Sequence, residues 1–183
     1  MKLETENLKL AIIGLGSNLG DRLAHLGTAR ERLRALAAPS GVFLSAPVYR
    51  SVPVDCPPES PDFFNTVVAF QFAGSARDLL RETQRIESDL GRPAQRAVNA
   101  PRPIDLDILV FGGKTVDQPD LVIPHPRLSE RRFVLQPLAD ILPGLVPPGG
   151  TATVARQLER LGNSARPCTP LPPQDVRDGY NSQ

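Results

Sequence analysis

The sequence predicts an α/β (α+β) fold with a largely antiparallel sheet and helices packed on it. Two observations carry this. Short runs rich in branched and aromatic residues alternate with two segments of helical period. Their order is strand, helix, strand, strand, helix, strand. At 183 residues, with 40% hydrophobic and 22% charged residues, the chain has ordinary globular composition. Leu10–Leu15 reads as a buried strand, and Gly16–Gly20 as the turn after it. Asp21 opens a helix whose apolar face carries Leu23, Leu26, Leu33 and Leu36. Val42–Tyr49 reads as a second strand, with Pro47 marking an edge or a bulge. Arg50–Asp62 holds four prolines and no period, so it reads as a long ordered loop. Asn65–Phe72 is the third strand.

Ser75 with Asp78 marks the second helix start. Leu79, Thr83, Ile86 and Leu90 follow on one face, and Gly91 closes it. Arg92–Pro103 is a second long loop. Leu106–Phe111 is the fourth strand, followed by a helical stretch near Ser129–Ile141 and a helix with Val154, Leu158 and Leu161. This order is the βαββαβ plan of ferredoxin-like folds, with helices on one face of the sheet. Residues 1–9 form a polar N-terminal extension, 10–164 one domain, and 165–183 a Pro-rich tail expected to fray. The formal charge of +1, from 21 basic and 20 acidic residues, excludes a polybasic nucleic-acid tail. No apolar run is long enough to cross a bilayer, and the N-terminus lacks a hydrophobic signal region. Cys56 and Cys168 form neither a disulfide framework nor a metal pair. The expectation is therefore a cytoplasmic protein without membrane or nucleic-acid partners.

The sharpest motif is Arg102-Pro-Ile-Asp105-Leu-Asp107-Ile-Leu. On a strand, Asp105 and Asp107 share one face, while Leu106 and Ile108 take the other. Adjacent carboxylates repel unless a cation neutralises them, and Mg²⁺ takes one or two carboxylates plus phosphate oxygens and water. Read alone, the pair fits a solvated sheet face at least as well. Arg92, Arg96 and Arg102 before it, and Arg127, Arg131 and Arg132 after it, add guanidinium forks that match phosphate geometry. Part of that arginine is ordinary surface in a chain with 18 Arg and 3 Lys. Gly14-Leu-Gly16-Ser-Asn-Leu-Gly20 departs from a dinucleotide fingerprint in its spacing, so a tight turn is the better reading. Phe63-Phe64-Asn65 and Phe133 are core residues or a platform for a planar heterocycle. Pro124-His125-Pro126 sets one imidazole in a rigid turn.

Together these segments resemble the 6-hydroxymethyl-7,8-dihydropterin pyrophosphokinase family of folate biosynthesis. The match keeps the family's order from about Leu10 to Pro148. It includes Gly14–Arg22, Tyr49–Ser51, Pro61–Asn65, Gln84–Glu87, Gly91-Arg92, Ala100–Leu109, Ile123–Pro126 and Arg131–Phe133. The resemblance implies a transferase that moves the pyrophosphoryl group of ATP to the pterin and releases AMP. It also implies two Mg²⁺ ions, a monomer, and loops that close over ATP. In that family's pattern Asp105 and Asp107 are the metal ligands. Ser51, Val54, Phe63, Asn65 and Phe133 meet the pterin. Gln84, Glu87, Arg92, Arg102, Ile108, His125 and Arg131 belong to the ATP side, with Arg92 and Arg102 also catalytic. The chain departs from the pattern at Ala94, at Asn99 where many members carry Trp, and at Pro126. Another Mg²⁺-nucleotide transferase, such as a nucleotidyltransferase, is the second enzymatic reading. An RNA-binding module would need aromatics on central strands within a basic face, which the sequence does not offer.

Overall fold

The computed structural model describes residues 8–57, 59–93, 100–162 and 166–172. Its six-stranded sheet runs in the order β5-β1-β4-β3-β8, with β2 also paired to β4. The strands are β1 (Lys9–Ser17), β2 (Phe43–Ser45), β3 (Tyr49–Ser51), β4 (Phe63–Phe72), β5 (Asp105–Phe111) and β8 (Cys168–Pro170). Every pairing in the sheet is antiparallel. A separate hairpin joins β6 (Val116–Gln118) to β7 (Leu121–Ile123). The mixed α/β class and the antiparallel sheet match the expectation.

The single strand expected over Val42–Tyr49 is two short ones. Pro47 has no N–H for a ladder, so bonding to β4 ends with the Ala46 N–H on the Val67 carbonyl at 2.9 Å and strand pairing resumes at Tyr49. Helix α1 (Arg22–Leu36) starts where Asp21 accepts from the Ala24 N–H at 3.0 Å. Helix α2 (Ala76–Asp89) has a complete capping box between Ser75 and Asp78. Its buried face is Leu79, Thr83, Ile86 and Glu87, and Gly91 supplies the positive φ just past its end. The stretch expected near Ser129–Ile141 is a 3-10 turn (Leu128–Glu130) followed by α3 (Arg132–Ile141), which contains Pro137. Helix α4 (Val154–Leu161) is capped by Thr153.

Helices cover both faces of the sheet rather than one. Ala11, Ile13, Val68, Phe70 and Ile108 pack under α1 and α2. Their strand neighbours Ile12, Val67, Ala69 and Leu109 pack under α3 and α4 with Leu135, Leu138 and Val154. Strand alternation produces both cores from the same three strands, β1, β4 and β5. Within the tail, the described residues 166–172 lie against the sheet, and 173–183 fall outside the described residues. Cys168–Pro170 pairs with β3, and the Leu171 N–H donates to the Val48 carbonyl at 2.8 Å.

Candidate active site

The site lies on the α3/α4 side of the sheet, where β1 carries glycine instead of side chains. Cross-strand register aligns Asp105, Gly16 and Asn65 in one row, and Asp107, Gly14 and Val67 in the next. Gly14 and Gly16 therefore form the floor of a cleft of about 740 Å³. A Cβ on Gly16 would meet Asn65 Oδ1 at 3.1 Å and the Phe63 ring at 3.7 Å. Gly14 lies in the strand as expected, Gly16 is a strand residue rather than the start of the turn, and their missing side chains leave the cleft open.

The cleft gathers Asp105 and Asp107 with Ser51, Val54, Phe63, Asn65, Arg102, Arg131 and Phe133. Asn65 Nδ2 donates to Ser51 Oγ at 2.8 Å, which fixes the amide plane and leaves it a second N–H. The Arg102 guanidinium lies 5.2 Å from the Phe63 ring centre, and that of Arg131 lies 5.6 Å from the Phe133 ring centre. Asp105 is bracketed by Arg92 and Arg102, each at 2.6 Å. Asp107 has Arg131 at 3.8 Å. Its position in the cleft wall and the neighbouring Asp105 push its pKa up, against the pull of Arg131, Arg102 and Arg92.

The remaining residues expected at the site stand around this group. Arg92 also pairs with Glu87, whose carboxylate accepts from the Leu106 N–H at 2.6 Å. Burial pushes the Glu87 pKa up to about 7. His125 Nδ1 accepts from the Arg127 N–H at 3.1 Å, which leaves the ring proton on Nε2. Burial, then Arg131 and Arg127, push its pKa down to about 4, so the imidazole is neutral at pH 7. It can donate from Nε2 but carries no charge. Gln84 is exposed on α2. The Ile108 side chain packs in the α1/α2 core, away from the cleft. Ala94, Arg96 and Asn99 lie outside the described residues.

Two groups of site residues gave no chemical signal in the sequence. Asn18 is buried and ties three segments together. Its Oδ1 accepts from the Arg102 N–H at 2.8 Å, its own N–H donates to the Arg102 carbonyl at 3.2 Å, and its Nδ2 donates to the Pro61 carbonyl at 3.3 Å. It sits in the motif read as a turn, but nothing local shows which distant carbonyls it serves. Val52, Asp55 and Cys56 line the cleft through the first long loop, where Asp55 pairs with Arg127 at 2.9 Å. A loop without period gives no face to read.

Among the described residues no cluster of three or more His, Cys, Asp or Glu could hold a metal. The donor set is two carboxylates on one strand face, open to a cleft flanked by arginines. That suits Mg²⁺, which leaves most of its coordination to phosphate oxygens and water. No helix is long and apolar enough to cross a membrane.

Residues 12–143 match the family described as 7,8-dihydro-6-hydroxymethylpterin-pyrophosphokinase. The 2-amino-4-hydroxy-6-hydroxymethyldihydropteridine pyrophosphokinase of Bacillus subtilis is 41% identical, over 72% of this chain and 77% of its own. That of Methylorubrum extorquens is 40% identical, over 84% and 94%. The folic acid synthesis protein fol1 of Pneumocystis carinii is 38% identical over 81% of this chain, which spans only 20% of that protein. A Plasmodium falciparum HPPK-DHPS structure with pteroate shares the fold, with a TM-score of 0.69 and 14% identity over 87% of this chain and 45% of that one.

Proposed function

The chain belongs to the 7,8-dihydro-6-hydroxymethylpterin-pyrophosphokinase family, and from that premise we propose that it makes the pterin diphosphate. The pyrophosphoryl group of ATP passes to 6-hydroxymethyl-7,8-dihydropterin and AMP leaves. The observation that carries this reading is one cleft lined by Asp105 and Asp107 together with Phe63, Asn65 and Phe133. Acidic ligands for a charged donor and a platform for a flat acceptor stand side by side there. We assign the activity to residues 10–164, acting as a cytoplasmic monomer.

Phe63 and Phe133 hold the pterin ring by stacking, and Asn65 reads its edge with the amide that Ser51 orients. Val54 closes the cleft beside the ring. Arg102 and Arg131 each stand beside one of these aromatics and an acid, so they reach both substrates. With Arg92 they bind phosphate oxygens through guanidinium forks. His125 donates from Nε2 as a neutral group. Gln84, Glu87 and the Ile108 backbone serve the nucleotide. Asp105 and Asp107 would hold Mg²⁺, which neutralises charge on the triphosphate. The pterin oxygen bonds to the β-phosphorus, the bond from that phosphorus to the bridging oxygen of AMP breaks, and the hydroxyl proton is released to solvent. Positioning and charge stabilisation supply most of the rate in such a transfer, so no strong general base is needed.

The test is to incubate the protein with ATP, Mg²⁺ and the pterin, and to identify the nucleotide formed. AMP that appears only with pterin present is expected; ADP, or no turnover, would sink the reading. Asp105→Ala and Asp107→Ala should each lower kcat by about a hundredfold or more. Unchanged kinetics in either variant, with the fold intact by circular dichroism, would remove the metal role.

A further inference from the structure

We propose that the segment 166–171 is a strap that sets the pterin-facing loop, and that Arg166 is its positioning residue. The inference rests on the pterin reading of the cleft. The strap lies beyond the family match, which ends at residue 143.

Three contacts define it. Strand β8 pairs with β3, with Ser51 opposite Cys168 and Tyr49 opposite Pro170. The Leu171 N–H donates to the Val48 carbonyl at 2.8 Å. Beyond the other end of β8, Arg166 Nη1 donates to the Pro53 carbonyl at 2.5 Å. The strap therefore holds the chain on both sides of Ser51, whose hydroxyl orients Asn65. The residues on either side of Pro53, Val52 and Val54, line the cleft.

The register makes the arrangement specific. Antiparallel pairs alternate between hydrogen-bonded and non-bonded. With Leu171 bonded to Val48, the Arg50–Thr169 pair is bonded and the Tyr49–Pro170 pair is not. Pro170 thus falls where no ladder N–H is required, which proline in an edge strand needs. A loop held before the ligand arrives loses less freedom on binding, so the strap raises affinity without touching the ligand. Among the described residues its backbone and Arg166 hydrogen bonds fall on β3, Val48 and Pro53, beside the pterin-facing loop, so its effect belongs on the pterin side.

The experiment uses the full chain with Arg166→Ala, Arg166→Lys and Thr169→Pro. The proline removes the N–H that the ladder places against Arg50. Two readouts are taken: amide hydrogen exchange over residues 51–57, and KM for pterin and for ATP with kcat. Arg166→Ala should speed exchange in 51–57 and raise the pterin KM about two- to tenfold, the scale of one lost hydrogen bond. KM for ATP and kcat should stay unchanged, and Arg166→Lys should restore most of the loss. Thr169→Pro should act in the same direction. Exchange in 51–57 that matches wild type in both Arg166→Ala and Thr169→Pro would overturn the strap. So would faster exchange with an unaltered pterin KM. If the wild-type protein turns over no pterin, the functional reading fails by itself, and the exchange data alone decide whether the strap holds the loop.

Discussion

Glu87 shows how one buried carboxylate links the α2 side of the sheet to the cleft. It accepts from the Leu106 N–H and pairs with Arg92, which reaches on to Asp105. Burial outweighs the pull of Arg92 and lifts its pKa from 4.5 to about 7. Between those values the folded protein holds a proton that the unfolded chain has released. Its contribution to stability is therefore present at low pH and is lost as pH rises to about 7. The raised pKa of Asp107 works in the same direction. His125 works in the opposite one: its pKa falls from 6.5 to about 4, so its contribution grows as pH rises between them. The total profile mixes these signs, and a difference measurement isolates Glu87. Glu87→Gln keeps an acceptor for the Leu106 N–H and removes the titration. Urea unfolding without nucleotide, repeated over a pH series, should show the wild-type advantage over Glu87→Gln shrinking from pH 4.5 to 7. An advantage that grows with pH would reverse the assignment. The acid pair itself was legible from strand alternation, while the charge state of His125 depends first on its burial and then on Arg131 and Arg127 packing near it.

Strand β1 is where the sequence and the structure differ most usefully. Gly16 reads as the start of the turn Gly16–Gly20, yet it lies in the strand beside Gly14, and both have cross-strand partners on each side. Glycine weakens a strand unless something must approach its backbone closely, and here Asn65 and Phe63 do. Gly16→Ala should cost little stability, since alanine gains about 0.5–1 kcal/mol over glycine in a strand interior. The Asn65 amide has to give by a few tenths of an ångström, so the pterin Kd should rise severalfold. Titration calorimetry with pterin checks this, and unaltered affinity would show that the cleft floor tolerates a methyl group. Other elements divide by how local their signals are. Helix α2 was legible throughout because cap, period and closing glycine are all local. The break between β2 and β3 was only half legible: Pro47 marked it, but pairing decides where each strand ends. Strand β8 was not legible, since three residues show no period and their partner is more than a hundred residues away.

At the scale of the molecule, the near-neutral charge is an average. Between Gly91 and Arg132 there are seven basic and five acidic residues, and two of those acids face the cleft. The cleft has a wall opposite the sheet because α3 covers that face and contributes Phe133 and Val134. Nothing in the sequence assigns α3 and α4 a side, so the second covered face is not legible there. Alternate residues of β1, β4 and β5 feed the two cores: Ile13, Val68 and Ile108 on one, Ile12, Val67 and Leu109 on the other. Neither core can lose its strands without dismantling the other, so the molecule should unfold as one unit. Leu79, on α2, and Leu135, on α3, are each fully buried on opposite sides. Leu79→Ala and Leu135→Ala should each cost about 2–5 kcal/mol. Each should lower a single thermal transition, with the calorimetric and van't Hoff enthalpies still equal. The two losses should add in the double variant, because the sites share no partner. If Leu135→Ala instead produced a separate early transition while the α1/α2 core stayed folded, the shared sheet would not couple the faces. The cleft would then rest on a cover that can detach from its floor.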